Sequence, residues 1–264
     1  MATMSIGKAW QDSLAFIKRE GHLLFPVALL FLSVPLAIVQ QMVPANYMQM
    51  QPGQTMASLP PLPAGASVGI LLGAIVMVVG SLSVYALALR PGISVAEAIR
   101  LALSRLPMLI GASMIVGLAL MVALFAVAMV GGLLAAVIGK AGGVQLSVLL
   151  MTGVLLYIGA RLVPLSAVVI DRRSGVIMSV RAALALTKGQ VGRMAAFLMI
   201  SMILIFIVQL AVQSAVGVVA TLALGKESGR SISDLAVALT SGVLNVYLLV
   251  LTARIYRQLE EAAA

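Results

Sequence analysis

The chain has 264 residues, of which 62% are hydrophobic and only 9% charged, with no cysteine and a single histidine. So little charge excludes a water-soluble globular fold, in which about a quarter of the residues are charged, and the lack of cysteine excludes disulfides, thiolate chemistry and Cys-ligated metal. The net charge of +9 comes from arginines and lysines set between apolar runs rather than in a basic domain, which points to anionic lipid head groups and away from nucleic acid.

A helix of about 20 apolar residues crosses about 30 Å of hydrocarbon. Runs of that kind recur at 23–43, 67–89, 107–130, 146–170, 194–219 and 234–253. They are continuous rather than alternating and rich in Ala, Leu and Met, which argues against a β-barrel. The expected fold is all-α, a polytopic transmembrane helix bundle of about six spans forming one integral membrane domain over 1–264.

Before the first run, Ile6, Trp10, Leu14 and Ile17 recur at helical spacing with Lys8, Asp12 and Arg19 opposite, which predicts a basic amphipathic helix. His22 falls at the interfacial start of the run. Val43-Pro44-Ala45 has the small residues of a signal-peptide cleavage site. The run before it, however, is as long as a spanning helix and follows a polar stretch containing Asp12 and Glu20, so it reads as a retained first helix. The segment 44–66 is rich in Met, Gln and Pro, includes Leu59-Pro60-Pro61-Leu62-Pro63 and carries no charge; it is expected to be irregular or polyproline-like. Gly69 and Gly73 have the small-xxx-small spacing of close helix approach. Ser94-Val95-Ala96-Glu97 reads as a capping box opening a helix to about Ser104, apolar at Val95, Ala98, Leu101 and Ala102. Leu133 to Ile138 is expected either as an interfacial helix or as the end of the third crossing. Val180 and Leu184, with Arg181 and Lys188, form a further amphipathic stretch before the fifth. Starts near 5, 94 and 175 are separated by about 89 and 81 residues, which predicts a threefold repeat of interfacial helix, span, span.

Charge sets the orientation. Thirteen positive residues fall on one side: Lys8, Lys18, Arg19, Arg90, Arg100, Arg105, Arg172, Arg173, Arg181, Lys188, Arg193, Arg254 and Arg257. Only Lys140, Lys226 and Arg230 fall on the other. The positive-inside rule places the thirteen, and both termini, in the cytoplasm.

Arg161 is the one charged residue in the interior of a predicted span. It precedes Asp171 by ten residues, about 15 Å along a helix, further than snorkelling recovers. A buried arginine costs several kcal/mol in lipid and must face protein, water or an anion. Seven of the eight acidic residues lie outside the predicted spans and the eighth, Asp234, stands at the first position of the sixth, so the partners of Arg161 are sought among backbone carbonyls, notably that of Ala160, which Pro164 has no N–H to satisfy. Two roles are open: a structural tie between helices, or a site for an anion or lipid phosphate. Gly153, Tyr157 and Arg161 share one helix face at intervals of four. Similar stripes are Ser201, Gln209 and Gln213 on the fifth span, Ser241 and Asn245 on the sixth, and Gly73, Ser81 and Tyr85 on the second. They are expected to make interhelical hydrogen bonds or to line a cavity. A lone His22, with no intramembrane Asp pair and no Gly-rich phosphate loop, supplies no catalytic constellation. No enzyme activity, cofactor or metal site is predicted.

The residues Arg161-Leu162-Val163-Pro164, Asp171, Arg181, Thr187-Lys188-Gly189 and Arg193 form a pattern: Arg and Pro in a span, an acid at its inner end, a basic helix, then Thr-x-Gly. It resembles the bacterial six-helix inner-membrane proteins of the YciC-like type and the membrane domain attached to some glycerophosphoryl diester phosphodiesterases. Asp171 stands where that family has Glu, Ala182 where it has Ser after the helix Arg, and Gly192 where it has an aromatic. The pattern covers about 33 residues. The resemblance implies a multispanning bundle in a bacterial inner membrane and transfers no activity, because the phosphodiesterase is a separate soluble barrel.

The function expected first is non-enzymatic binding or movement of a lipid or other amphipathic, anionic molecule. Arg161 and Tyr157 would meet its head group, and Arg100, Arg105, Arg172, Arg173, Arg181, Lys188 and Arg193 would form the interfacial basic set. The expected partners are membrane lipids, anionic at the cytoplasmic face, with self-association or a protein partner left open. The alternatives are a scaffold or regulatory subunit recruiting partner proteins, and an ion or small-solute channel, which suits the polar stripes but lacks an acidic ring.

Overall fold

The computed structural model describes residues 5–43, 62–172 and 175–263. Residues 44–61 of the uncharged segment, and Arg173 of the basic set, lie outside the described residues. The described chain is all-α. Six helices are long and apolar enough to cross a membrane: Ile6–Met42, Ala64–Leu89, Val95–Val137, Ala141–Asp171, Val191–Leu224 and Ser228–Ala262. Each predicted crossing falls within one of them, the first overrunning its helix by one residue, and the helices extend beyond the predicted crossings by up to 17 residues. The chain is an integral, multi-pass membrane protein.

The first crossing comprises α1 (Ile6–Ala28), a π-helical turn over Leu29–Ser33, and α2 (Val34–Met42). Pro35 explains the turn. Lacking an N–H, it cannot complete an α-helical ladder, and the Val34 N–H reaches back five residues to the Leu29 carbonyl, the widened pattern typical of a π-bulge. Then come α3 (Ala64–Leu89) and α4 (Val95–Ile138), the latter 44 residues long, or about 66 Å. The turn at Gly139 leads to α5 (Lys140–Leu162), α6 (Leu165–Asp171) and α7 (Val176–Leu186). Last are α8 (Val191–Leu224) and α9 (Lys226–Ala263).

Three expectations are refined. The amphipathic stretches before the first and third crossings are not separate interfacial helices, because each continues into its span through Pro26 or Pro107. In a membrane helix, neighbouring groups re-satisfy the carbonyl a proline frees. Only α7 is set off from the following span, by a turn at 187–190 in which Gly189 adopts φ +82°. The three expected repeats therefore differ in this connection. Second, Leu133 to Ile138 is the end of α4 rather than a helix lying at the interface. Third, the fourth crossing is broken at Val163–Pro164 between α5 and α6. The capping box forms as read: the Ser94 N–H donates to Glu97 Oε2 at 2.8 Å, and the Glu97 N–H to Ser94 Oγ at 3.3 Å.

The chain forms two compact units. One comprises Ser13–Ala102 and Ile203–Val250. Its interior holds Leu24, Leu82, Val84, Leu89 and Val246, none more than 2% exposed, and the Phe25 and Tyr247 rings meet with centroids 6.4 Å apart. α3 lies against the π-turn and α2 along a glycine face. A methyl on Gly73 would come within 2.7 Å of Val39 Cγ2, and one on Gly80 within 2.5 Å of Phe31 Cβ; one on Gly69 would strike Met42. Gly69 and Gly73 thus serve the close approach that their spacing predicts. In the same unit α8 and α9 form a hairpin through Gly225, at φ +82°.

The other unit comprises Met1–Asp12, Leu103–Met202 and Leu251–Ala264. It buries Val168, Ile170, Met194, Ile255, Tyr256 and Leu259. Its α4–α5 hairpin turns at Gly139, with φ +83° and ψ 158°, a region open only to glycine. The arms approach so closely that a methyl on Gly131 would strike Ser147, and one on Gly143 would strike Ala135.

The spans differ in how far protein covers them. Of the most apolar 18 residues, 6% are buried in α4 and in α8, against 39–44% in the other four spans. The apolar surfaces of α4 and α8 are left almost wholly uncovered by the rest of the described chain.

Candidate functional site

Arg161 sits in the last turn of α5, beside the Val163–Pro164 break. Four residues earlier on the same helix face, Tyr157 places its ring under the guanidinium, with 6.0 Å from Arg161 Cζ to the ring centroid. Tyr157 is exposed and Arg161 half-buried. Among the described residues no carboxylate is within ion-pair distance of Arg161. One turn earlier, Gly153 has open space where a Cβ would stand. The face formed by Gly153, Tyr157 and Arg161 therefore points away from the packed interior, with a cation at one end and an aromatic ring as its side-chain partner among the described residues. A cation–π contact at such a site is worth about 0.5–1 kcal/mol, much less than a buried guanidinium needs. The donors of the guanidinium remain available to an anion.

The backbone of Arg161 is held from another element. The Thr187 hydroxyl, which is fully buried, lies 3.2 Å from the Arg161 carbonyl oxygen and also near the carbonyls of Ala183 (3.0 Å) and Leu184 (3.2 Å). Its one proton is shared among three acceptors. The sequence directs attention to the Ala160 carbonyl, whereas the tie across elements is made at Arg161 itself, one of the terminal carbonyls that a helix end leaves without an N–H. Thr187 thus fixes the end of α5 against the C-terminus of α7.

In the interfacial basic set, Arg100, Arg181, Lys188 and Arg193 are exposed and Arg105 is half-buried. Arg172 makes an intramolecular ion pair, its Nη2 donating to Glu260 Oε1 at 2.8 Å and its Nε at 3.2 Å. That bond, above all, raises the Arg172 guanidinium above its ordinary range, and partial desolvation opposes it. Arg172 therefore answers to the protein before it answers to lipid.

The sequence reading missed the residues that complete this cluster. Tyr256, fully buried on α9, places its hydroxyl 2.6 Å from Glu260 Oε1 and 3.0 Å from Asp171 Oδ2. Together with Arg172, they tie the end of α6 to the last turns of α9. The Ser5 N–H donates to Gln258 Oε1 at 3.0 Å, adding the start of the chain to the same helix. The i, i+4 spacing of Tyr256 and Glu260 was visible; their partners, 85 and 88 residues away, were not.

In the other unit the polar stripes do two things. Gln209 Nε2 donates to Ser241 Oγ at 2.9 Å, joining α8 to α9, and Asn245 Nδ2 donates to the Ser241 carbonyl at 2.9 Å. Ser81, Ser241 and Asn245 also line a groove of about 440 Å³ with α2 and α3. Gly73 packs against Val39 and Tyr85 is buried. Gln213, by contrast, is exposed on α8.

No family model, no curated protein and no solved structure matches this chain.

Proposed function

We propose that this is a non-enzymatic protein of a bacterial inner membrane, both termini cytoplasmic, that binds or moves a lipid or similar amphipathic anion whose phosphate meets Arg161 beside Tyr157. The observation that carries the reading is the state of Arg161: half-buried at the end of an apolar helix, without a carboxylate partner among the described residues, on a face left open. A lipid phosphate would supply the paired, charge-assisted hydrogen bonds that a guanidinium favours. The asymmetry of thirteen positive residues against three supports the orientation, and exposed Arg100, Arg181, Lys188 and Arg193 suit anionic head groups. The likeness of the 161–193 pattern to the YciC-like membrane proteins belongs to the same proposal.

Native mass spectrometry of protein released from nanodiscs containing phosphatidylglycerol, wild type beside Arg161→Gln, tests it. A defined anionic lipid held by wild type and lost from the variant supports the reading. Equal lipid retention by both proteins, with the variant unfolding more easily, would make Arg161 a structural tie and overturn it.

A further inference from the structure

A cavity of about 170 Å³ lies in the unit formed by Ser13–Ala102 and Ile203–Val250. Phe16, Glu20 and Leu24 of α1 form one side of it, and Leu87 of α3 with the Pro91–Ile93 turn forms the other. The first apolar run starts at 23 and α3 ends at Leu89, so the cavity stands at the boundary of two crossings, on the side that carries the thirteen cations. Among the described residues Glu20 is the one acidic side chain in its wall, and it is half-buried. Glu20 Oε1 accepts from Arg19 Nε at 3.0 Å. Arg19 also lays its guanidinium over the Phe16 ring, with Cζ 5.8 Å from the centroid. Both contacts are with residues of the wall, and they hold the guanidinium at the rim although 68% of the Arg19 side chain is exposed. So exposed a pair adds little to stability. One of its five N–H donors is used, which leaves the rest for a ligand.

The order of charges selects the occupant. A carboxylate in the wall and a guanidinium on the rim, at the level of lipid head groups, are matched by a head that carries an ammonium beside a phosphate. A primary ammonium brings three N–H donors to a carboxylate, as that of lysine does, whereas a quaternary choline brings none. A phosphate takes paired, charge-assisted hydrogen bonds from a guanidinium. A purely anionic head would satisfy Arg19 and be repelled by Glu20. The volume exceeds the share of one water, about 30 Å³, and leaves room for a small polar group. We propose that this cavity binds the head of an ethanolamine phospholipid, its ammonium on Glu20 and its phosphate on Arg19, with the acyl chains leaving past Leu23 along the first crossing.

The experiment uses the full chain in nanodiscs of equal parts dioleoyl phosphatidylethanolamine, phosphatidylcholine and phosphatidylglycerol, read by native mass spectrometry. Wild type should retain the ethanolamine lipid about tenfold over the choline lipid, the order expected for one charge-assisted hydrogen bond. Replacing it with its N-methyl, N,N-dimethyl and N,N,N-trimethyl forms should lower retention step by step, a test that needs no variant. Glu20→Gln, which keeps the size of the side chain, should lose the preference. Ile93→Trp, which grows into the cavity from a half-buried position, should lose it as well. Arg161→Gln should leave the preference intact, so that this site and the Arg161 site fail separately. Soluble phosphoethanolamine should not displace the lipid; displacement would assign the cavity to a free head group and overturn the lipid as ligand. Equal retention across the methylation series, or an undiminished preference in Glu20→Gln, would overturn the proposal.

Discussion

Replacing Tyr256 with phenylalanine removes one oxygen from a fully buried ring and leaves the packing of α9 otherwise unchanged. That hydroxyl has one proton and two carboxylate neighbours, Glu260 Oε1 at 2.6 Å and Asp171 Oδ2 at 3.0 Å. A hydrogen bond to a charged acceptor contributes about 1.5–3 kcal/mol, and the shorter contact with Glu260 takes the proton. Arg172 remains on Glu260 in the variant, so the carboxylate keeps a partner and the cost belongs at the middle of that range, about 2 kcal/mol. The assay is reversible unfolding in mixed micelles of mild and denaturing detergent, read by helical circular dichroism, with Glu260→Gln and Asp171→Asn combined in double-mutant cycles. Tyr256 should couple to Glu260 more strongly than to Asp171. A loss under about 0.5 kcal/mol, the ordinary scatter of surface substitutions, would refute the claim that this hydroxyl fastens α6 to α9. Stronger coupling to Asp171 would refute the assignment of the proton.

Gly80→Ala places a methyl 2.5 Å from Phe31 Cβ and should cost about 1–3 kcal/mol by overpacking, whereas Gly117→Ala, with open space at its Cβ, should not destabilise; the same unfolding assay compares them. Thr187→Val removes the hydroxyl from the Arg161 carbonyl and should lower stability by about 1 kcal/mol, with Thr187→Ser restoring most of it; a deficit that serine leaves unrepaired would assign the effect to the methyl group instead.

The parts of this structure that could be read in the sequence are those set by neighbours along the chain. Six apolar runs mark six spanning helices because lipid demands local backbone satisfaction, residue by residue. Ser94 and Glu97 announce their reciprocal cap, and the spacing of Gly69 and Gly73 announces a close approach. Continuity was harder to read. Helices run through Pro26 and Pro107, while Pro35 brings a π-turn and Pro164 a true break. Proline fixes which hydrogen bond is lost, and the surrounding packing decides how the chain responds. The environment of Arg161 was legible as a problem, a charge without an acid. That Thr187 would close on its carbonyl, and that the polar cluster of this unit would be built from Tyr256, Asp171, Glu260 and Arg172, depends on pairing across 26 to 88 residues, which periodicity does not encode.

The bareness of α4 and α8 bears on how this sequence can change through time. A side chain in a membrane span that no other part of the chain covers is judged for being apolar and for little else, so Met114, Leu118, Phe125, Ile203 and Phe206, all exposed, should exchange freely among hydrophobic types. Two of the six spans should therefore lose the imprint of ancestry quickly, whereas Gly73, Gly80, Ser33 and Tyr256 answer to fixed neighbours and should change slowly. Distant kin would be recognised from those anchored positions, and a saturation-mutagenesis map of the chain should show the same division between permissive and restrictive helices.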